Sequence, residues 1–102
     1  MNKSRLIISL DFSEANQALE FCKKIDPVSC KIKIGKELYT RAGPILIEKL
    51  RTLNYDIFLD LKYHDIPNTV ANACRVATDL GVWMLNVHAS GGSKMMEAAY
   101  ES

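Results

Sequence analysis

Ile57-Phe58-Leu59-Asp60-Leu61-Lys62-Tyr63-His64-Asp65-Ile66-Pro67-Asn68-Thr69 opens as an apolar run, carries opposite charges two residues apart, and ends where Pro67 stiffens the backbone. Side chains alternate faces along a strand. Phe58, Asp60 and Lys62 therefore share one face, opposite Ile57, Leu59 and Leu61. The second set is wholly apolar and suits packing beneath helices, whereas the first turns polar toward its C-terminal end. A strand of an open doubly wound sheet, buried on both faces, should be apolar nearly throughout. The split pattern is that of a barrel with a site at its C-terminal mouth.

The same split recurs on either side of this segment. Leu6 to Leu10, Ile32 to Ile34 and Val82 to Val87 are further short apolar runs. Parity sets Ile7, Ser9 and Asp11 opposite Leu6, Ile8 and Leu10, and Lys31, Lys33 and Gly35 opposite Ile32 and Ile34. In the last run it sets Met84, Asn86 and His88 opposite Trp83, Leu85 and Val87. Segments with helical spacing lie between the runs. Ser13 is expected to cap a helix through Leu19, Phe21 and Cys22, stopped by Asp26-Pro27. Glu37 to Leu53 predicts a short helix, a break at Gly43-Pro44, and a second helix from Pro44. A further helix is predicted after Pro67, ending before Gly81, and a last one from near Ser93.

Alternating strands and helices imply a parallel sheet covered by helices. The strand-end residues Asp11, Lys33, Asp60 and His88 are separated by 22, 27 and 28 positions. Such tight repeats suit a (β/α)8 TIM barrel of the α/β class, which typically needs about 250 residues. The four units in these 102 residues make about half of one. Residues 1–102 are thus expected to be about half of a single barrel domain. Alone, such a half exposes unpaired backbone groups along its first and last strands. A truncated chain, or a piece that pairs with a missing half, is therefore expected.

Composition narrows the partners. A chain with 48% hydrophobic and 25% charged residues is ordinary for a globular protein. A formal charge of +1 provides no basic excess for nucleic acid or a membrane surface. The apolar run that ends at Asp11 is too short for a secretory signal, and no stretch approaches the ~18 apolar residues of a membrane span. A cytoplasmic protein is expected, with Cys22, Cys30 and Cys74 as reduced, buried thiols outside any C-x-x-C pair. Cys30, near the strand that carries Lys33, is the one position where a reactive thiol is conceivable.

In a barrel, Asp11, Lys33, Asp60 and Lys62 would converge at one mouth with alternating signs. Charges in such a place need partners or a ligand. The alternatives are a structural ion-pair network that caps the barrel and a site that binds and transforms a small molecule. Asp65 lies just beyond, on a βα loop. Neighbouring negative charge favours the protonated form of an amine, which suits Lys62 as a proton donor that needs no metal.

The run Asp60 to Thr69 resembles the D-x-K-x-x-D-I-P-x-T signature of the orotidine 5′-phosphate decarboxylases of bacterial type. These enzymes convert orotidine 5′-monophosphate to uridine 5′-monophosphate and CO2 in de novo pyrimidine biosynthesis. Leu10-Asp11, Lys33-Ile34-Gly35 and Asn86-Val87-His88-Ala89-Ser90-Gly91-Gly92 resemble the family's first, second and fourth strand ends. The likeness covers essentially the whole chain. It implies that Asp11 and Lys33 contact the ribose, that Asp60 stands against the substrate carboxylate, and that Lys62 delivers the proton to C6. It implies that Asp65, Ile66 and Thr69 cross a homodimer interface into the neighbouring site. Asp65 is grouped with Lys62 and Asp60 as catalytic. No cofactor and no metal are implied.

The same resemblance exposes a gap, because family members hold the substrate phosphate with residues of the last strands and loops, beyond residue 102. The 102-residue chain alone is accordingly expected to be inactive. Two other readings compete. Metal-dependent 3-keto-L-gulonate 6-phosphate decarboxylases and hexulose phosphate synthases also carry D-x-K-x-x-D, with an added acidic ligand near the second strand. Position 35 here is Gly, and the I-P-x-T tail favours the orotidine branch. A non-catalytic half barrel that only associates is the other. His64 and His88 are read as a loop residue and a strand-end residue, each either structural or at the mouth. Ser90-Gly91-Gly92 is read as a βα turn, and Met95-Met96 as helix packing.

Overall fold

A computed structural model describes residues 4–102. Four parallel strands form one sheet in the order β1 (Ile7–Ser9), β2 (Lys31–Gly35), β3 (Ile57–Tyr63), β4 (Met84–Val87). The helices α1 (Ala15–Lys23), α2 (Lys36–Ala42), α3 (Pro44–Thr52), α4 (Pro67–Asp79) and α5 (Ser93–Glu101) alternate with them. A single 3-10 turn at Ala89–Gly91 precedes α5.

Register confirms the expected sorting of faces at the paired positions, whereas Leu6, expected on the packed face, lies before β1 and is 57% exposed. Ser9 pairs with Lys33, Lys33 with Phe58, and Phe58 with Met84, so these four form one row on one face. Ile34, Leu59 and Leu85 form a row on the other. That second face is the packed one. Ile32, Ile34, Ile57 and Leu59 are fully buried against Ala18 and Cys22 of α1, Leu38 of α2, and Leu46, Ile47 and Leu50 of α3. A smaller cluster of Val70, Cys74 and Met95 joins α4 and α5 to Tyr63, Leu85 and Val87. Burying a Leu or Ile side chain contributes about 1.5–3 kcal/mol, so this face carries most of the stabilisation.

Local signals explain the helix ends. Pro44 and Pro67 each open a helix, where the missing N–H has no intrahelical acceptor to lose. Gly43, at φ 69°, makes the break between α2 and α3. Gly81, at φ 85°, ends the α4 region one residue after Leu80. Tyr55 is buried, and its hydroxyl donates to the Cys22 carbonyl at 2.6 Å with the Ile25 carbonyl 2.9 Å away, tying the end of α1 to β3. Burial, ahead of nearby Cys22, Cys30 and Asp26, pushes its pKa up to about 12.

Three expectations need correction. Ser13 does not cap α1: Glu14 occupies the N-cap position, without a side-chain hydrogen bond. Trp83 does not pack beneath the helices. It lies before β4, is 45% exposed, and its ring stands 4.9 Å from the Lys31 ammonium at the N-terminal end of the sheet. Met95 is a packing residue as expected, whereas Met96 is exposed. The Cys30 thiol, for its part, is buried, and desolvation followed by Asp26 raises its pKa, which disfavours the reactive thiolate.

Candidate active site

Asp60 is the hub of the polar face. Its side chain is 11% exposed at the C-terminal half of β3, with Gly35 in register beside it on β2. Because Gly35 carries no side chain, the longer Lys33, one row below, can reach Asp60. The Lys33 ammonium stands 3.4 Å from Asp60 Oδ2. Lys62 Nζ stands 2.7 Å from Asp60 Oδ1, and Asn86 Nδ2 donates to the same oxygen at 2.7 Å. The hydrogen bond from Lys62 is the largest influence and lowers the Asp60 pKa. Burial opposes it, and Asn86 and Lys33 reinforce the lowering. Asp60 is thus a fixed anion with two cations beside it.

Lys62 adopts φ 52°, an uncommon left-handed conformation for a residue with a side chain. It sits where the pairing of β3 with β4 is irregular: Leu59 pairs with Leu85, but the next pair is Tyr63 with Val87. Four steps on β3 therefore match two on β4. Such bulges bend a strand and re-aim its side chains, and they concentrate near active sites. The Lys62 side chain is 50% exposed, so its ammonium is held at Asp60 yet remains open to the mouth.

The other expected residues surround this hub without touching it. Asp11 follows β1, is exposed, and accepts a hydrogen bond from Ser9 Oγ at 3.1 Å; its carboxylate is not among the ion pairs of the described residues. Asp65 Oδ1 accepts from the backbone N–H of Ile66 at 2.7 Å, which shapes the turn into α4. Ile66 is 66% exposed, and Thr69 is exposed on the first turn of α4. The array is therefore a triad of Lys33, Asp60 and Lys62, with Asp11 and Asp65 at its margins.

Asn86 is the residue that sequence reasoning missed. It was placed on the correct face, yet as a neutral amide it carried no signal among the charged strand ends. His64 and His88 stack with ring centroids 5.2 Å apart, and His88 Nδ1 accepts from the Ser90 backbone N–H at 3.2 Å. His88 thus secures the turn before α5. An open cleft of about 560 Å³ beside it is lined by His64, Asp65, Ile66, Pro67, Ser90 and Gly91. This cleft adjoins the loop and not the charged triad, so the triad is the better candidate for chemistry. Among the described residues no group of three His, Cys, Asp or Glu side chains is gathered to hold a metal, and no helix is long and apolar enough to cross a membrane.

Residues 4–102 match the model of the Orotidine 5′-phosphate decarboxylase / HUMPS family. An orotidine 5′-phosphate decarboxylase of Nitrosomonas eutropha is 63% identical over 102 residues, which are 100% of this chain and 44% of that protein. One from Nitrosococcus oceani is 58% identical over the same share of both chains. The crystal structure of orotidine 5′-phosphate decarboxylase from Lactobacillus acidophilus superposes with a TM-score of 0.87 at 42% identity, over 95% of this chain and 44% of that one. The chain spans less than half the length of the relatives it matches, and its fold is that of half a (β/α)8 barrel.

Proposed function

The chain belongs to the Orotidine 5′-phosphate decarboxylase / HUMPS family, and we propose that the protein it represents converts orotidine 5′-monophosphate to uridine 5′-monophosphate and CO2 in pyrimidine biosynthesis. Residues 1–102 are then the N-terminal half of one barrel domain. The observation that carries this reading is the Lys33–Asp60–Lys62 triad on the polar face of the sheet.

The chemistry follows from what the triad can do. Breaking the bond between C6 and the carboxyl carbon releases CO2 and leaves the electron pair on C6. A preorganised ammonium beside that carbon stabilises the developing charge without solvent reorganisation, and Lys62 Nζ–H then gives its proton to C6. Asp60, fixed and ionised, stands against the departing carboxylate and disfavours the bound ground state relative to the transition state. Asp11 and Lys33 hold the ribose. Asp65 and Ile66, exposed at the loop, and Thr69, exposed on the first turn of α4, enter the neighbouring site of a homodimer. Binding of the distant phosphate supplies energy that is expressed at the reacting carbon. The reaction uses no cofactor, and the enzyme works in the cytoplasm.

The test is to follow absorbance loss of orotidine 5′-monophosphate with the complete protein and with the 102-residue chain, both in excess chelator. Turnover by the complete protein and none by the chain is the expected result. Failure of the complete protein, with activity restored by Mg²⁺ on a keto-sugar phosphate, would overturn it.

A further inference from the structure

The residue at the centre of this inference is Asn86, which touches Lys62 at one end and Asp60 at the other. Asn86 Oδ1 accepts the backbone N–H of Lys62 at 2.9 Å, and Asn86 Nδ2 donates to Asp60 Oδ1 at 2.7 Å. The orientation of the amide is dictated by chemistry. A backbone N–H can only donate and a carboxylate can only accept, so the reverse orientation would lose both bonds. The inference rests on the decarboxylase reading and adds to it a residue that organises the reacting pair without meeting substrate.

Lys62 would otherwise be poorly held. A left-handed backbone costs a residue with a side chain about 1–2 kcal/mol. The irregular pairing between Leu59 and Tyr63 also takes the Lys62 N–H out of the regular ladder with β4. The Asn86 side chain supplies the missing acceptor from the facing strand. Its other end steadies the carboxylate that receives the Lys62 ammonium, so four groups from three residues close one ring: Lys62 backbone, Asn86 amide, Asp60 carboxylate, Lys62 ammonium.

We propose that Asn86 is a positioning residue that locks the bulge of β3, fixing the Lys62 ammonium and the Asp60 carboxylate in reacting geometry. The charged groups facing Asp60 are Lys33 from β2 and Lys62 from β3, whereas β4 contributes only this neutral amide. Two cations alone would hold the carboxylate by attraction that tolerates many geometries. The amide adds direction, because one end is held by the Lys62 backbone N–H and the other by the Asp60 carboxylate.

The test uses two variants of the complete protein. Asn86→Asp keeps the size and the acceptor for Lys62 N–H, but replaces the donor to Asp60 with a like charge. Asn86→Ala removes both bonds. Misplacing a catalytic group by about 1 Å can cost ~100-fold. In both variants kcat is expected to fall ~100-fold with KM changed no more than ~3-fold. The acid limb of the kcat profile should move to higher pH, further in Asn86→Asp. Asn86→Ser, which can still accept and donate over a shorter reach, should recover part of the loss. Carbon-13 NMR titration of Asp60 in wild type and Asn86→Asp is the readout that does not need turnover, and its carboxyl pKa should rise in the variant. An unchanged Asp60 titration, or a kcat and acid limb equal to wild type, overturns the proposal. If the wild-type protein does not decarboxylate orotidine 5′-monophosphate, the functional reading fails, and the titration still decides whether Asn86 clamps Asp60.

Discussion

Asp60 gathers two ammonium groups and one amide around a single carboxylate that is almost out of solvent. A buried anion so surrounded is held ionised, with its pKa lowered first by the Lys62 hydrogen bond. A carboxyl whose folded pKa is depressed stabilises the fold above its unfolded pKa, and that contribution is lost as pH falls through the folded value. Asp60→Asn should therefore lower the unfolding midpoint near neutral pH, with the gap to wild type closing as pH drops below the ordinary carboxylate range. Chemical denaturation at several pH values checks this, and a gap independent of pH would contradict it. At this scale the shared face of Lys33 and Asp60 was legible from parity and holds in the register, and Lys62, two residues on, reaches the same carboxylate. The left-handed φ of Lys62 and the grip of Asn86 were not. Both depend on how β3 meets β4, and no local pattern in either strand reports that.

Strands and helices were read from alternation, proline and glycine, and their order and breaks match. The exceptions have physical causes. Ser13 looks like a cap in isolation, but α1 begins two residues later, after an extended Glu14 at φ −128° and ψ 139°. Trp83 precedes β4, so strand parity does not govern it, and the flat ring covers Lys31 instead. Gly81 shows how one element fixes another. It is left-handed, and a Cβ there would lie 2.3 Å from the guanidinium carbon of Arg51, whose Nη1 donates to the Leu80 carbonyl at 3.2 Å. Gly81→Ala would strain the backbone and displace this link between α3 and the end of α4. A loss of about 1–2 kcal/mol is expected in the complete protein, measured by denaturant midpoint at unchanged m-value. A midpoint equal to wild type would show that Arg51 moves aside at no cost.

As a whole, the molecule has one well-packed face and one polar, partly apolar face. Ile7 and Met84, which parity assigns to the polar side, are exposed at 38% and 36%, and Trp83 is exposed beside them. In a complete (β/α)8 barrel that side is filled by layers of side chains from all the strands. The half-barrel character was legible because the unit spacing and the split faces do not depend on the rest of the barrel. The margins of the site were less so: Asp11 and Asp65 bond to their own neighbours, Ser9 and Ile66, and contacts with ligand or a second subunit lie outside what strand parity can specify. The triad is nevertheless assembled within these 102 residues, and Lys62 is its one half-exposed cation aimed by a bulge. The decisive measurement is the rate of orotidine 5′-monophosphate decarboxylation by the complete protein, wild type against Lys62→Ala. If Lys62 supplies the proton and the fixed charge as proposed, its loss should lower kcat at least ~1,000-fold with the fold intact by circular dichroism. A Lys62→Ala protein that turns over within about tenfold of wild type, a difference of ~1.4 kcal/mol in barrier, would contradict the assignment of the chemistry to this residue.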